Sequence, residues 1–285
     1  MKNRSNPIII MILLFLIEGC GSQAGSSQAV KEGGEVSPEQ SRAKFESSCA
    51  KGDLGDCFKL AVLYMEGMGG PKDLEKAREL FSLVCDSGNA GGCTELGFMW
   101  FAGEGGPRDI EAARLVLEKA CTLGDAEGCY GLALMKQDGV GAQKNRSEAR
   151  MLYEKSCEGK FWAACFNLAL MMYKGEGGVE DRETGRRLFA MACEGGHGAA
   201  CLTVGLMYYE GAGFEKDPAK ARASFERGCD NGLAEACYRF GTMALHGNGG
   251  EEDENQARDG FEEACNNGFK QACQELEKMG PPKGK

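Results

Sequence analysis

The chain has 285 residues and a formal net charge of −10 at pH 7, with 15 cysteines but only two histidines. An acidic protein repels the phosphates of nucleic acids, so the charge disfavours nucleic-acid binding. Structural zinc sites use cysteines two to four residues apart or histidines nearby, which this chain lacks, and nothing in the sequence implies a cofactor.

Residues 1–19 have the pattern of a secretory signal peptide. Two basic residues precede the apolar run 8–17, which is too short to span ~30 Å of hydrocarbon as a helix. The run leads into the sequence Ile-Glu-Gly-Cys20, which resembles the bacterial lipobox, in which the cysteine is lipidated. Glu18 departs from the small or apolar residue preferred there. We therefore expect export and a lipid anchor at Cys20, with an ordinary cleaved signal as the alternative.

The next boundaries follow from composition. Residues 20–37 are rich in Gly, Ser, Gln and Glu without an apolar period, which predicts a flexible tether. Periodic apolar residues then extend over 38–279, the predicted folded part. Residues 280–285 begin with Gly-Pro-Pro, which cannot continue a helix, and are predicted to be a disordered tail.

The other fourteen cysteines form seven pairs with a fixed spacing. The members of a pair are always 8 residues apart, and successive pairs are always 36 residues apart, with no insertion or deletion. Self-similarity at such a period is typical of repeat architectures, in which each repeat is one supersecondary unit. We therefore expect stacked units of 36 residues.

Small and aromatic residues at helical spacing predict one helix of the unit, which we call helix B. Ala77, Phe81 and Cys85 step by four and so line one helical face. Asp73 is suited to capping the first turn, and Gly88 to ending the last. We predict helix B over about residues 73–86 of that repeat. An arginine follows this alanine in six copies, one of which has Gly185 in place of the alanine. This predicts a repeated structural contact rather than an anion site.

A second helix, helix A, is predicted to begin near residue 90. Its face carries Cys93, Leu96, Gly97 and Trp100 at the i, i+3, i+4, i+7 spacing. The i+4 position is Ala or Gly in all six internal copies, which permits close approach of the partner helix. A column of Met or Leu runs alongside, and we interpret it as a core stripe between repeats rather than a cofactor or metal site.

Geometry decides how the cysteines pair. In one unbroken helix, residues 8 apart are separated by ~12 Å, whereas a disulfide needs Cα atoms within ~7 Å. The chain must therefore turn between the two cysteines of a pair. We predict the bridges Cys49–Cys57, Cys85–Cys93, Cys121–Cys129, Cys157–Cys165, Cys193–Cys201, Cys229–Cys237 and Cys265–Cys273. The competing pattern would join Cys57 to Cys85 across a whole A–B hairpin, and non-reducing peptide mapping distinguishes the two.

The stretch from Leu60 to Gly88 reads L-A-x-x-Y-x-x-G-x-G and then D-x-x-K-A-x-x-x-F-x-x-x-C-x-x-G. It resembles the Sel1-like repeat, a relative of the tetratricopeptide repeat, and the cysteine pairs resemble those of the secreted cysteine-rich proteins of Helicobacter. The resemblance covers about residues 38–279. It implies an all-α, right-handed α/α superhelical solenoid of helix-turn-helix repeats, whose concave groove binds proteins or peptides. Some members are described as penicillin-binding proteins or weak β-lactamases.

Polar residues that differ between copies mark the candidate groove on helix A. They occupy positions two and nine after the second cysteine of each pair. The candidate partner-binding residues are Lys59, Glu95, Asn167, Lys174, Thr203 and Arg239. The alternative is an ordinary solvated face. The aromatic residues Phe166, Tyr173, Tyr209 and Tyr238 are candidate peptide anchors, although packing between repeats is the favoured interpretation.

An enzymatic function finds little support in the residues. Serine enzymes that recognise penicillin combine S-x-x-K with S-D-N and K-T-G elements. The sequence has S-x-x-K at Ser41–Lys44 and Ser48–Lys51 without the other two, so no catalytic residue is assigned. We therefore predict a monomeric binding scaffold on the outer membrane or periplasmic face of the bacterial envelope, or secreted. A β-lactam hydrolase and a structural spacer are the alternatives.

Overall fold

The computed structural model describes residues 37–281. The predicted signal peptide, the lipidation site Cys20, the tether up to residue 36 and the tail residues 282–285 lie outside the described residues. Residues 38–281 belong to one compact unit. No helix in the described part of the chain is long and apolar enough to cross a membrane.

Residues 37–281 form fourteen α-helices and no strand. The helices are α1 (Pro38–Cys49), α2 (Leu54–Glu66), α3 (Leu74–Asp86), α4 (Ala90–Ala102), α5 (Ile110–Thr122), α6 (Ala126–Asp138), α7 (Arg146–Glu158), α8 (Trp162–Lys174), α9 (Arg182–Glu194), α10 (Gly198–Glu210), α11 (Pro218–Asp230), α12 (Ala234–Leu245), α13 (Glu254–Asn266) and α14 (Lys270–Met279). Odd-numbered helices are B helices and even-numbered helices are A helices. Each packs mainly on its neighbours in sequence, so the unit is a solenoid.

Side-chain caps set where the B helices begin. The Asp73 carboxylate accepts a hydrogen bond from the Lys76 N–H, and five later B helices begin in the same way. A glycine in the loop after each of several A helices is needed for close packing between repeats. At Gly105, with φ +69°, a Cβ would lie 2.1 Å from the carbonyl oxygen of Leu74 at the start of the preceding B helix. The boundaries predicted for α3 and α4 are confirmed.

The core between A and B helices depends on the small and aromatic columns. A Cβ on Gly205 would lie 2.5 Å from the Phe225 ring, and one on Gly97 would lie 2.7 Å from the Leu117 side chain. The column of Met or Leu is confirmed as part of the core, because its five methionines are buried: Met99, Met135, Met171, Met207 and Met243. Since one helix pair cannot bury this surface alone, neighbouring repeats must cover it.

Seven disulfides join each B helix to the A helix that follows. They link Cys49–Cys57, Cys85–Cys93, Cys121–Cys129, Cys157–Cys165, Cys193–Cys201, Cys229–Cys237 and Cys265–Cys273. Their Cα–Cα distances lie between 4.4 and 4.9 Å. This is the pairing that the turn argument predicted, and the alternative Cys57–Cys85 bridge is not the one formed.

The arginine column connects successive repeats, as predicted. The Arg78 guanidinium donates to the Pro107 carbonyl oxygen at 3.2 Å, 29 residues further on. The same contact recurs from Arg42, Arg150 and Arg222 to Pro71, Val179 and Glu251. Arg114 and Arg186 instead pair with glutamates on their own helices. The column therefore has a structural role in most repeats.

Candidate partner-binding face

We define the A face as the surface that carries the position two after the second cysteine on α2 to α12. Its residues are Lys59, Glu95, Gly131, Asn167, Thr203 and Arg239. Lys59, and Lys174 at the end of α8, are exposed, whereas Glu95, Asn167, Thr203 and Arg239 are half-buried. The structure thus places the predicted groove residues on five A helices, α2, α4, α8, α10 and α12.

Three A-face residues have partners on their own helix. Lys59 pairs with Asp56 at 2.8 Å, and Arg239 pairs with Glu235 at 2.8 Å. The Thr203 hydroxyl donates to the Ala199 carbonyl oxygen at 2.8 Å. These contacts orient the side chains along the helix and leave part of each one accessible.

Three of the four predicted aromatic anchors pack inside the solenoid, two of them between adjacent A helices. Each of two rings packs on the ring of the residue that precedes the next A helix. The ring centroids of Phe166 and His197 are 4.8 Å apart, and those of Tyr238 and Phe269 are 5.0 Å apart. Tyr173 lies 6.4 Å from the Phe189 ring. The packing interpretation is therefore confirmed for these three. The fourth candidate, Tyr209, has 43% of its surface exposed.

A polar contact replaces this ring contact between α4 and α6. The Thr94 hydroxyl, almost fully buried, donates to the Asp125 carboxylate at 2.7 Å. Asp125 also accepts from the Gly128 N–H at 2.7 Å and so caps α6. The junction between these two A helices is therefore made of polar groups, whereas the next junction, between α6 and α8, pairs the rings of Tyr130 and Phe161.

Acidic residues gather beside this junction. The carboxylates that act on Glu95 are, in order of effect, those of Glu127, Asp125, Glu104 and Glu66. Burial, and after it these like charges, raise the pKa of Glu95 to about 7. Burial also raises the pKa of Glu127. Glu127 carries no signal of this role in the sequence, because its position near Glu95 depends on the offset between adjacent A helices.

A second polar group lies under the A face at α7. In each repeat, the aromatic or leucine side chain of the B helix lies beneath the A-face position of the following A helix. Leu117 shows this, because a Cβ on Gly131 would lie 3.3 Å from Leu117 Cδ1. At the same offset one repeat on, Tyr153 lies beneath Asn167. The Tyr153 side chain is 0% exposed, and its hydroxyl has no hydrogen-bond partner among the described residues.

The Asn167 amide lies close enough to the Tyr153 hydroxyl to lower its pKa, although the two groups do not meet hydrogen-bond geometry. Burial raises the pKa of Tyr153, so the hydroxyl stays protonated and can donate. A buried hydroxyl without a partner costs about 1–3 kcal/mol. A sequence signal was available, since Tyr153 is the only hydroxyl in a column of Phe and Leu.

The two S-x-x-K matches do not assemble a catalytic group. Ser41 and Lys44 lie on α1, and Lys51 follows its end. The Ser48 side chain interacts with Asp56, which pairs with Lys59. Hydrogen bonds from Lys59 and Ser48 lower the pKa of Asp56, which makes this carboxylate a weak base.

The fold and the face together define a helical repeat protein of the class that presents a recognition surface on one set of helices. The Sel1 repeat model matches six times, at residues 56–89, 90–125, 126–161, 162–197, 198–233 and 234–269. The chain therefore belongs to the Sel1 repeat family, whose members typically bind protein partners. A search of curated proteins finds no match.

Two solved structures with TM-scores above 0.5 agree with this assignment. The chain is 26% identical to a Sel1 repeat protein from Oxalobacter formigenes, over 86% of this chain and 71% of that one, with a TM-score of 0.77. It is 25% identical to c5321, a protective antigen of uropathogenic Escherichia coli, over 85% of this chain and 52% of that one, with a TM-score of 0.66. Helicobacter pylori cysteine rich protein B is 27% identical over 47% of this chain and 96% of its own, with a TM-score of 0.38.

Proposed function

We propose that the protein is an exported scaffold, anchored in the bacterial envelope through Cys20, that binds a protein or peptide partner along its A face. The observation that supports this is the contrast between columns. Packing positions keep a narrow set of residues from repeat to repeat, such as Ala or Gly, or Met or Leu, whereas the A-face position carries Lys, Glu, Gly, Asn, Thr or Arg. Packing explains the constant columns, and recognition of a varied partner surface explains the variable one.

The proposed location rests on separate observations. Seven disulfides suit an oxidising compartment outside the cytoplasm, since cytosolic thiols are kept reduced. The lipobox-like sequence at Cys20 offers an anchor on the outer membrane or the periplasmic face. A lipid anchor followed by a tether would present the A face to envelope partners.

Site-specific photo-crosslinking in cells tests the binding function. A photoreactive residue replaces Lys59 or Lys174, which are exposed on A helices, or Glu79 or Ala223, which are exposed on B helices. We expect a discrete cross-linked protein from the A positions and none from the B controls. Equal products from all four positions, or none from the A positions, would contradict binding through this face.

The anchor has its own test. We expect Cys20→Ala to move the protein from the membrane pellet to the soluble fraction, because the thiol is the proposed lipid attachment site. Intact-mass analysis of the natural chain should show the added diacylglycerol and acyl mass on Cys20. A Cys20→Ala protein that stays in the pellet after a carbonate wash would exclude the anchor.

A further inference from the structure

The arginine contact between repeats divides the solenoid's joints into two kinds. We call a joint the place where a B helix meets the loop in front of the next B helix. At four closed joints a guanidinium donates to a carbonyl oxygen of that loop; the donors are Arg42, Arg78, Arg150 and Arg222. At two open joints, Arg114 and Arg186 pair with glutamates on their own helices instead.

One loop position accounts for this division. It is glycine at the closed joints, where an added Cβ would lie 2.4 to 2.7 Å from the donating nitrogen of the arginine: Gly70, Gly106, Gly178 and Gly250. At the open joints the same position is Ala142 or Phe214, whose Cβ takes the place of the guanidinium. Helix glutamates do not explain the difference, because Arg222 forms the contact although Glu226 follows it by one turn.

The backbone separates the same two joints from the other four. At the closed joints a loop glycine packs on the carbonyl oxygen of the first B-helix residue, and its Cβ would lie 2.1 to 2.4 Å away: Gly69, Gly105, Gly177 and Gly249. At the joint of Arg114, a Cβ on Gly141 would lie 3.2 Å from the Ile110 carbonyl oxygen. At the joint of Arg186, a Cβ on Gly213 would first meet the Arg186 side chain, at 2.7 Å.

The two open joints are filled differently. Phe214 stacks on Tyr208 with ring centroids 4.6 Å apart, and the Arg186 guanidinium lies 5.9 Å from the Phe214 ring. Ala142 offers only a methyl group. The joint between α5 and the loop at residues 139–145 therefore has neither the arginine contact nor a ring in its place.

The opposite edge of the same repeats is held by side chains of α7. Lys155 Nζ donates to the Cys121 carbonyl oxygen at the end of α5, at 2.6 Å. The buried Ser156 hydroxyl donates to the Ala126 carbonyl oxygen at the start of α6, at 2.5 Å. The disulfide edge is thus fixed where the loop edge is open, which is the arrangement of a pivot.

We propose that the joint at Ala142 is a hinge at which the solenoid bends, because the Ala142 methyl group keeps Arg114 from the loop. Local motion concentrates where few contacts and hydrogen bonds hold a structure, and a few loop residues can absorb it. A bend here changes the curvature of the A face without breaking any helix. The hinge is a property of the free chain and requires no partner.

Pairs of spin labels test the hinge in the oxidised full chain in detergent. Since the paired cysteines must stay in their disulfides, the labels are attached to a ketone-bearing residue placed at exposed B-helix positions. The test pair, at Glu79 and Met151, spans the joint at Ala142 and one closed joint. The control pair, at Ala43 and Leu115, lies in the same column, is also two repeats apart and spans two closed joints.

Double electron–electron resonance measures the spread of each distance. We expect a distribution about twice as wide for the test pair as for the control pair. Ala142→Gly should let Arg114 reach the loop and narrow the test distribution to the control width. Glycine is the more flexible residue, so narrowing cannot come from the loop backbone itself. Adding Arg114→Ala to Ala142→Gly should make the distribution wide again.

Three results would overturn the proposal. Equal widths for the two pairs in the natural chain would mean that the joint at Ala142 does not bend. A wide test distribution that Ala142→Gly leaves unchanged would mean that the methyl group is not its cause. Narrowing that persists after Arg114→Ala would exclude the arginine contact as the element that closes the joint.

Discussion

Glu95 shows how one residue can make the stability of the A face depend on pH. The folded chain holds the pKa of Glu95 at about 7, above the value of 4.5 expected for an exposed glutamate. The folded state therefore binds more protons than the unfolded chain between these values. The free energy of unfolding should fall as pH rises through this window.

Glu95→Gln should remove that dependence. Above pH 7 we expect the variant to be more stable than the natural chain by about 3 kcal/mol, since the charged carboxylate is then buried among like charges. At pH 4.5 the two chains should be nearly equal. Urea unfolding at pH 4.5 and 8 measures both differences, with Glu79→Gln on an exposed helix surface as the control. The same gain at both pH values would rule out the ionisation of Glu95 as its cause.

Residues differ in how far the sequence predicts their role. Asp73 is recognisable as a cap because the cap and the N–H groups it serves are three residues apart. The Glu95–Glu127 and Tyr153–Asn167 neighbourhoods join different helices. The 36-residue period gives the spacing of repeats along the chain, but not the offset at which adjacent helices pack. Contacts that depend on this offset therefore required the structure.

At the scale of the helix, close packing outweighs intrinsic propensity. Ala favours a helix over Gly by up to ~1 kcal/mol, so most Gly→Ala changes in exposed helices stabilise. Gly205 lies in α10, where an added Cβ would sit 2.5 Å from the Phe225 ring. In this pair the small residues are Gly205 on the A helix and Ala221 on the B helix. In the preceding pair the order is reversed, with Ala169 on the A helix and Gly185 on the B helix. Each of these two contacts between an A helix and a B helix thus has room for only one methyl group at these two positions.

We expect Gly205→Ala to destabilise the protein by about 1–3 kcal/mol, because overpacking forces the ring or the backbone to move. The control is Gly91→Ala in α4, where the added Cβ would have its nearest neighbour at 3.6 Å. That change should be neutral or stabilising by up to ~1 kcal/mol. Urea denaturation of the two variants measures the difference. Equal effects would mean that the α10–α11 contact has room for a methyl group.

At the scale of the whole solenoid, stability should be a sum of repeats and their interfaces. Each disulfide closes a loop with a sequence separation of 8, which corresponds to about 2–3 kcal/mol. Removing a bridge should therefore weaken the repeats that it joins and their neighbours, and leave distant repeats unchanged. The position of the bridge then decides how much of the molecule is affected.

The test compares a central and a terminal bridge. In the variant with Cys157→Ala and Cys165→Ala, we expect hydrogen-exchange protection to fall in α7, α8 and the adjacent repeats, because each packs on both sides. In the variant with Cys265→Ala and Cys273→Ala, only α13 and α14 should lose protection, since no repeat follows α14 in the described chain. Equal loss along the whole chain in both variants would mean that the solenoid unfolds as one cooperative unit. In that case the disulfides would stabilise the molecule as a whole, and coupling between repeats would be stronger than a nearest-neighbour sum allows.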